Sequence, residues 1–140
     1  MSLTACRSKF QSGEISKESY IEEMSRLHVY LFEYYKFIKD TDIATIEIQE
    51  GSVIFSLRDH NVKLQCSAFD KRVTPIEILN FCFYEKSDAE MLFSLLKPNM
   101  VFFDIGAHVE FYSIQAAMRE ETIKIYAFEP ISQTFSMFKK

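Results

Sequence analysis

Residues 101–130 read VFFDIGAHVEFYSIQAAMREETIKIYAFEP, and this stretch decides the fold. Val101, Phe102, Phe103, Asp104 and Ile105 form a short, almost continuous apolar run, the pattern of a strand covered on both faces. Gly106, Ala107 and His108 make a turn. Residues 109–119 then take helical spacing, with Val109, Tyr112, Ile114, Ala116, Ala117 and Met118 as its apolar positions. Residues 123–128 are a second buried strand. A strand, a glycine turn, a helix and a second strand make a βαβ unit with a right-handed crossover. Ligands of such sheets sit beyond the carboxyl ends of the strands.

Moving towards the N-terminus, residues 86–97 are expected to form a helix. Ser87 is its cap and Glu90 its capping-box partner, Met91, Leu92, Leu95 and Leu96 form its apolar face, and Pro98 and Asn99 end it. Residues 75–83 are an apolar run of ambiguous type that begins at Pro75. Before them, residues 43–69 change to a period of two. Ile46 and Ile48 alternate with polar residues and Glu50-Gly51 turns the chain. Val53, Phe55 and Leu57 alternate next, Asp59-His60-Asn61 turns it again, and Val62, Leu64, Cys66 and Ala68 follow. That is an antiparallel meander of three strands, half-buried. Residues 16–39 read as one helix capped by Ser16, with an aromatic-rich stripe of Ile21, Met24, His28, Leu31, Tyr35 and Ile38 expected to pack on the rest of the domain. Gly13 ends a polar arm. At the other end, Ser132 caps a helix running to Phe138. The organisation is an arm and helix over 1–42, a meander and linking helix over 43–98, and the start of a ligand-binding sheet over 99–140.

The bulk numbers narrow the function. The chain has 140 residues, 48% of them hydrophobic, and a net charge of −4. That is one domain's worth of chain with a real core. The acidic balance argues against a general grip on nucleic acid or anionic lipid. Cys6, Cys66 and Cys82 show no metal-ligand or disulfide spacing, so no metal is expected and a reducing, cytoplasmic setting fits. Leu3-Thr4-Ala5-Cys6 has the form of a lipoprotein cleavage box but lacks the charged and apolar segments that precede one. No run approaches the ~18 apolar residues of a membrane span.

The chemistry lies in the turn and at the second strand's end. Gly106 lets a ligand approach the backbone, and a helix N-terminus faces the same place. Glu129 follows Asp104 by 25 residues. That is near the spacing at which an acidic side chain reaches both ribose hydroxyls of an adenosine cofactor. The dinucleotide fingerprint G-x-G-x-x-G fails, because His108 and Phe111 stand where its second and third glycines belong. A nicotinamide-dependent oxidoreductase is therefore a distant third reading. Asp104 has a plainer alternative as a cap of the turn, Glu129 as a surface carboxylate before Pro130, and His108 as a turn residue rather than a base. His28 and His60 read as structural.

Five blocks in order carry a closer likeness. They are Phe83-Tyr84-Glu85, Leu95-Leu96-Lys97-Pro98, the run from Val101 to Val109, Phe111-Tyr112-Ser113, and Tyr126-Ala127-Phe128-Glu129-Pro130. Together they resemble the FkbM family of S-adenosylmethionine-dependent methyltransferases, over about residues 44–140. The resemblance implies an α/β fold in which the helix and meander lead into the first βαβα of a Rossmann-like sheet. It implies that Asp104, Gly106, Ala107 and His108 line the methionine end of S-adenosylmethionine, that Glu129 holds the ribose, and that Glu85 stands near the cofactor mouth. The acceptor it implies is a hydroxyl of a sugar or other small natural product. No residue can be named as the catalytic base.

Two departures qualify that expectation. Glu110 stands where the family pattern has glycine, at the opening of the helix that faces the cofactor. A carboxylate ~4 Å from the cofactor's own carboxylate, at an effective dielectric of about 20, repels it by ~4 kcal/mol. Weakened binding, by about a thousandfold, is the expectation. Secondly, a family domain has seven strands and only the first two are recognisable. The chain is therefore read as an incomplete domain, inactive alone, either lacking a C-terminal portion or truncated in nature. The alternative is a non-catalytic remnant that acts in binding or self-association through the aromatic helix and the open sheet edge.

Overall fold

A computed structural model describes residues 1–66 and 74–135, apart from the side chain of Gln133. The protein is mixed α/β, with N-terminal helices, a three-stranded antiparallel sheet and a two-stranded parallel sheet. It divides into two compact units, Met1–Lys39 and Asp40–Lys140.

The first unit is a helical hairpin of α1 (Leu3–Gln11) and α2 (Lys17–Phe37). The polar arm expected before Gly13 is a helix, α1. Its signal is Ser2, whose side chain accepts from the Ala5 N–H at 3.2 Å, as an N-cap does. Gly13 takes φ +76 in the connection, and Phe10 stacks on Tyr20 with centroids 4.5 Å apart. Ser16 caps α2 as expected, accepting from the Ser19 N–H. The helix ends in a 3-10 turn, Ile38–Asp40. Within this unit the apolar stripe is only partly covered, with Met24, His28 and Ile38 half-buried. Among the described residues none on α2 is fully buried, and Ile21, Leu31 and Tyr35 are all more than half exposed. Periodicity identifies a face that can be covered; it does not supply the cover.

The second unit begins with the meander, β1 (Ile43–Gln49), β2 (Ser52–Leu57) and β3 (Lys63–Cys66), in sheet order β1-β2-β3. Gly51 turns the first hairpin at φ +79, and His60 and Asn61 turn the second with both φ at +52. The expected alternation holds in β3, where Leu64 is buried between exposed neighbours and Val62 just before the strand is buried; in β2 Phe55 and Leu57 are buried, but so is Ser56 between them. It fails in β1. A register irregularity between Ile43 and Thr45 shifts the inward positions, as a bulge does. Ile43 is fully buried and Ile48 is 69% exposed. Ala68 lies outside the described residues.

The ambiguous run resolves as α3 (Thr74–Phe81), a helix that buries Thr74, Pro75, Ile78 and Leu79. Pro75 sits in the first turn, where a missing N–H removes no helical hydrogen bond. These side chains and those of the meander make the main core. Each fully buried large apolar side chain there contributes about 1.5–3 kcal/mol.

α4 (Lys86–Ser94) follows. It corrects the expected capping box, because Ser87 is already inside the helix and the cap position is Glu85, at φ 40, with no side-chain cap bond. Met91 and Leu95 of the expected apolar face are each 61% exposed.

β4 (Val101–Ile105), α5 (Phe111–Arg119) and β5 (Lys124–Phe128) form the expected βαβ unit. The two strands are parallel, with Asp104 opposite Ala127 and Ile105 opposite Phe128. α5 starts two residues later than its periodicity predicts, because His108 and Glu110 hold positive φ. Burial of the strands on both faces is not found. Val101, Phe103 and Ile105 are exposed on one face, Ile105 at 84%, together with Tyr126 and Phe128. Only the side carrying Phe102, Asp104 and Ile125 is half-buried. α6 (Ser132–Phe135) is the last described element. The remainder of the expected C-terminal helix, to Phe138, lies outside the described residues.

Candidate functional site

Asp104 and Glu129 stand at the carboxyl ends of neighbouring parallel strands, and the turn 106–110 lies between them. Asp104 is the fourth residue of β4 and half-buried. Its Oδ2 accepts from the Ser113 hydroxyl at 2.6 Å. Ser113 lies in the first turn of α5 and is 6% exposed. This bond ties strand to helix and orients the carboxylate. The plainer alternative, a cap on the turn's backbone N–H groups, is not what is seen: those of Gly106, Ala107 and His108 donate to Phe128 and Glu129.

Glu129 follows β5 directly. Its Oε2 accepts from the His108 N–H at 2.9 Å, and its Oε1 accepts from the Ile131 N–H at 2.7 Å. Each oxygen thus holds one backbone donor and keeps a lone pair for another. The side chain is half-buried and joins the turn 106–110 to the segment that leads into α6. It is not an idle surface carboxylate.

The turn departs from the expectation in one respect. The N–H groups of Gly106 and Ala107 both donate to the Phe128 carbonyl, at 2.8 and 3.0 Å. With His108 N–H on Glu129, the first three donors of the turn are satisfied within the protein and are not presented to a ligand. Gly106 has φ +87, and a Cβ built there would meet no atom within 4 Å among the described residues. The turn is therefore open to close approach. Ala107 is buried and its carbonyl accepts from the Glu110 N–H at 2.6 Å.

Glu110 occupies the cap position of α5 at φ 59, ψ 25, and makes no side-chain cap bond. That is the left-handed region, which costs a residue with a Cβ about 1–2 kcal/mol. His108 lies in the same region at φ 49, where histidine and asparagine are tolerated better than most.

Glu85 is brought to the helix rather than to the turn. Its Oε2 accepts from the Tyr112 hydroxyl at 2.5 Å. Burial, then this hydrogen bond to a carboxylate, pushes the Tyr112 hydroxyl well above its ordinary range. Tyr112 also packs among rings, 6.4 Å from Tyr84 and 6.2 Å from Phe93.

Residue reasoning missed Ser113 and Tyr112 as partners of Asp104 and Glu85. The signal was present in the block Phe111-Tyr112-Ser113, whose hydroxyls stand at consecutive positions beside an acidic strand end. Among the described residues no group of three or more metal-ligating side chains converges, and no helix is long and apolar enough to cross a membrane. Compared with known proteins, the chain matches no family profile, no characterised protein and no solved structure.

Proposed function

We propose that the turn 106–110 with Asp104 and Glu129 is the S-adenosylmethionine site of an FkbM-type methyltransferase, acting on a hydroxyl of a sugar or other small natural product. The observation that carries the reading is the hydrogen bond from His108 N–H to Glu129. It joins the carboxylate at one parallel strand's end to the turn at the other's. The two groups that the resemblance assigns to the ribose and to the methionine end thus lie side by side, which supports the reading. Two further features support it. The family's glycine position, here Glu110, takes a conformation that glycine favours, and its asparagine position, here His108, takes one that asparagine tolerates.

The residues fit the cofactor. Glu129 has lone pairs left for the ribose hydroxyls, Gly106 leaves an open approach, and Asp104 is held in place by Ser113. The cofactor supplies the electrophilic methyl group. The protein's own part is to position and to exclude water. Asp104 fixes the strand end, Glu129 sets the distance between ribose and turn, and Tyr112 with Glu85 braces the N-terminal turn of α5. Titrating S-adenosylmethionine into the protein and into Glu129→Gln tests the reading. Saturable binding that falls at least tenfold in the variant supports it, and equal behaviour of the two proteins refutes it.

One observation favours a second reading, that of a non-catalytic binding or assembly module. The apolar face of β4 and β5 is open, with Phe103 stacked on Tyr126 at 5.3 Å and on Phe128 at 6.3 Å. A parallel sheet is normally covered on both faces. Concentration-dependent association without binding of S-adenosylmethionine would favour this alternative.

A further inference from the structure

The second unit contains a cavity of ≈ 240 Å³ that the methyltransferase reading does not use. It lies between the end of β2, the segment that carries Phe83 and Tyr84, α4 and α5. Four rings wall it, those of Phe83, Tyr84, Phe93 and Phe111. Tyr84 and Phe111 meet edge to face at 5.0 Å.

Three carboxylates, Asp42, Asp59 and Glu90, and two basic groups, Lys86 and Arg119, line the cavity. Arg119 lies 4.1 Å over the Phe93 ring. It is ion-paired with Asp59 and donates to the Gln115 side chain. Lys86 lies 4.2 Å over the Phe83 ring and 4.0 Å from Glu90. Each basic group thus has an acidic partner and a ring. The Asp42 carboxylate is left over. Among the described residues it accepts no hydrogen bond and joins no ion pair, and it lines the same cavity. Its backbone is fully engaged, by Arg58 and Cys82, so its position is fixed by the fold. Burial raises its pKa above the ordinary value of 3.8, with the Asp59 charge adding to the rise and the Lys86 and Arg58 charges offsetting part of it.

We propose that this cavity binds a small organic cation, a methylated or unmethylated ammonium, with Asp42 as its counter-ion and the rings of Tyr84 and Phe111 as its walls. A carboxylate beside aromatic faces favours a cation over a neutral molecule of equal shape. An anion would meet Asp42 unpaired. A metal ion finds no cluster of three or more ligands among the described residues. Lys86 is the internal competitor, since its ammonium lines the same cavity and acts on Asp42 more strongly than Arg58 does. The proposal does not depend on the cofactor assigned to the turn.

The probe is choline, with 3,3-dimethylbutan-1-ol as its uncharged isostere, titrated by NMR into the whole 140-residue chain and two variants. Choline is expected to bind saturably, with the alcohol and the Asp42→Asn variant each at least about tenfold weaker. Lys86→Ala, which removes the competitor, is expected to bind choline a few-fold more tightly. This variant leaves Asp42 and its backbone bonds in place, so it keeps the test open if Asp42→Asn disturbs the fold. Equal binding of choline and the alcohol, no saturable choline binding, or weaker binding in Lys86→Ala would each overturn the proposal.

Discussion

Replacing Glu110 by glycine and, separately, by alanine divides two effects that meet at one residue. The backbone there sits at φ 59, ψ 25 without a side-chain cap bond. A side chain with a Cβ costs about 1–2 kcal/mol in that region. Glycine removes the cost but gains about 0.5–1 kcal/mol of unfolded-state entropy. The net expectation for Glu110→Gly is a gain of about 0.5–1 kcal/mol in unfolding free energy. Spread over a unit of this size it raises Tm by roughly 2–6 °C. Alanine keeps the Cβ and therefore the strain, so Glu110→Ala is expected to gain nothing. Charge separates differently. Both variants remove the carboxylate, so both relieve the repulsion of up to ~4 kcal/mol reckoned for a cofactor carboxylate at ~4 Å. Urea melts report the first effect and calorimetric titration of S-adenosylmethionine the second. Equal stability of the glycine and alanine variants would refute the strain reasoning. Unchanged affinity in both would refute the charge reasoning.

Three further outcomes follow from the same geometry. Ser113→Ala removes the 2.6 Å bond to Asp104 and is expected to lower stability by about 1–2 kcal/mol in urea. Tyr112→Phe removes the bond to Glu85 at about 1 kcal/mol near neutral pH, since Glu85 is exposed. The Tyr112 pKa is raised by folding, so the native protein holds this proton after the unfolded chain has lost it. Its contribution is therefore full below the ordinary value of 10.0 and is lost as pH rises above it. The phenylalanine variant lacks that alkaline component, which urea midpoints at about pH 9 and about pH 11 would show. Asp42 obeys the same sign, because burial raises its pKa above 3.8. Its ionisation weakens the fold as pH rises through the window above that value. Asp42→Asn is expected to gain on the native protein across that window and to lose the advantage below it, in paired acid titrations followed by circular dichroism.

The legible parts of this chain were those that depend on neighbours in sequence. Ser16 as a cap, the two meander turns and the βαβ unit around Gly106 need only local pattern, and they stand where the pattern put them. What failed depends on distant partners. The apolar run Val101–Ile105 looks the same whether one face or both are covered, and here one is open. The helix α4 starts where it was expected, but its cap is Glu85 and not Ser87, at a positive φ that no helix propensity announces. In the site, Asp104, Gly106 and Glu129 could be picked out by spacing. That Glu129 binds the turn itself, and that the N–H groups of Gly106 and Ala107 turn back to Phe128, are facts of strand pairing that no spacing contains.

The assignment of the cofactor to this turn is tested most directly by locating it. The protein would be irradiated in the presence of S-adenosylmethionine carrying a tritiated methyl group, digested, and its labelled peptides sequenced. Label confined to peptides that contain residues 104–113 or 126–131, and suppressed by excess S-adenosylhomocysteine, is the predicted result. Label elsewhere in the chain, or none in either the native protein or Glu110→Gly, would contradict it.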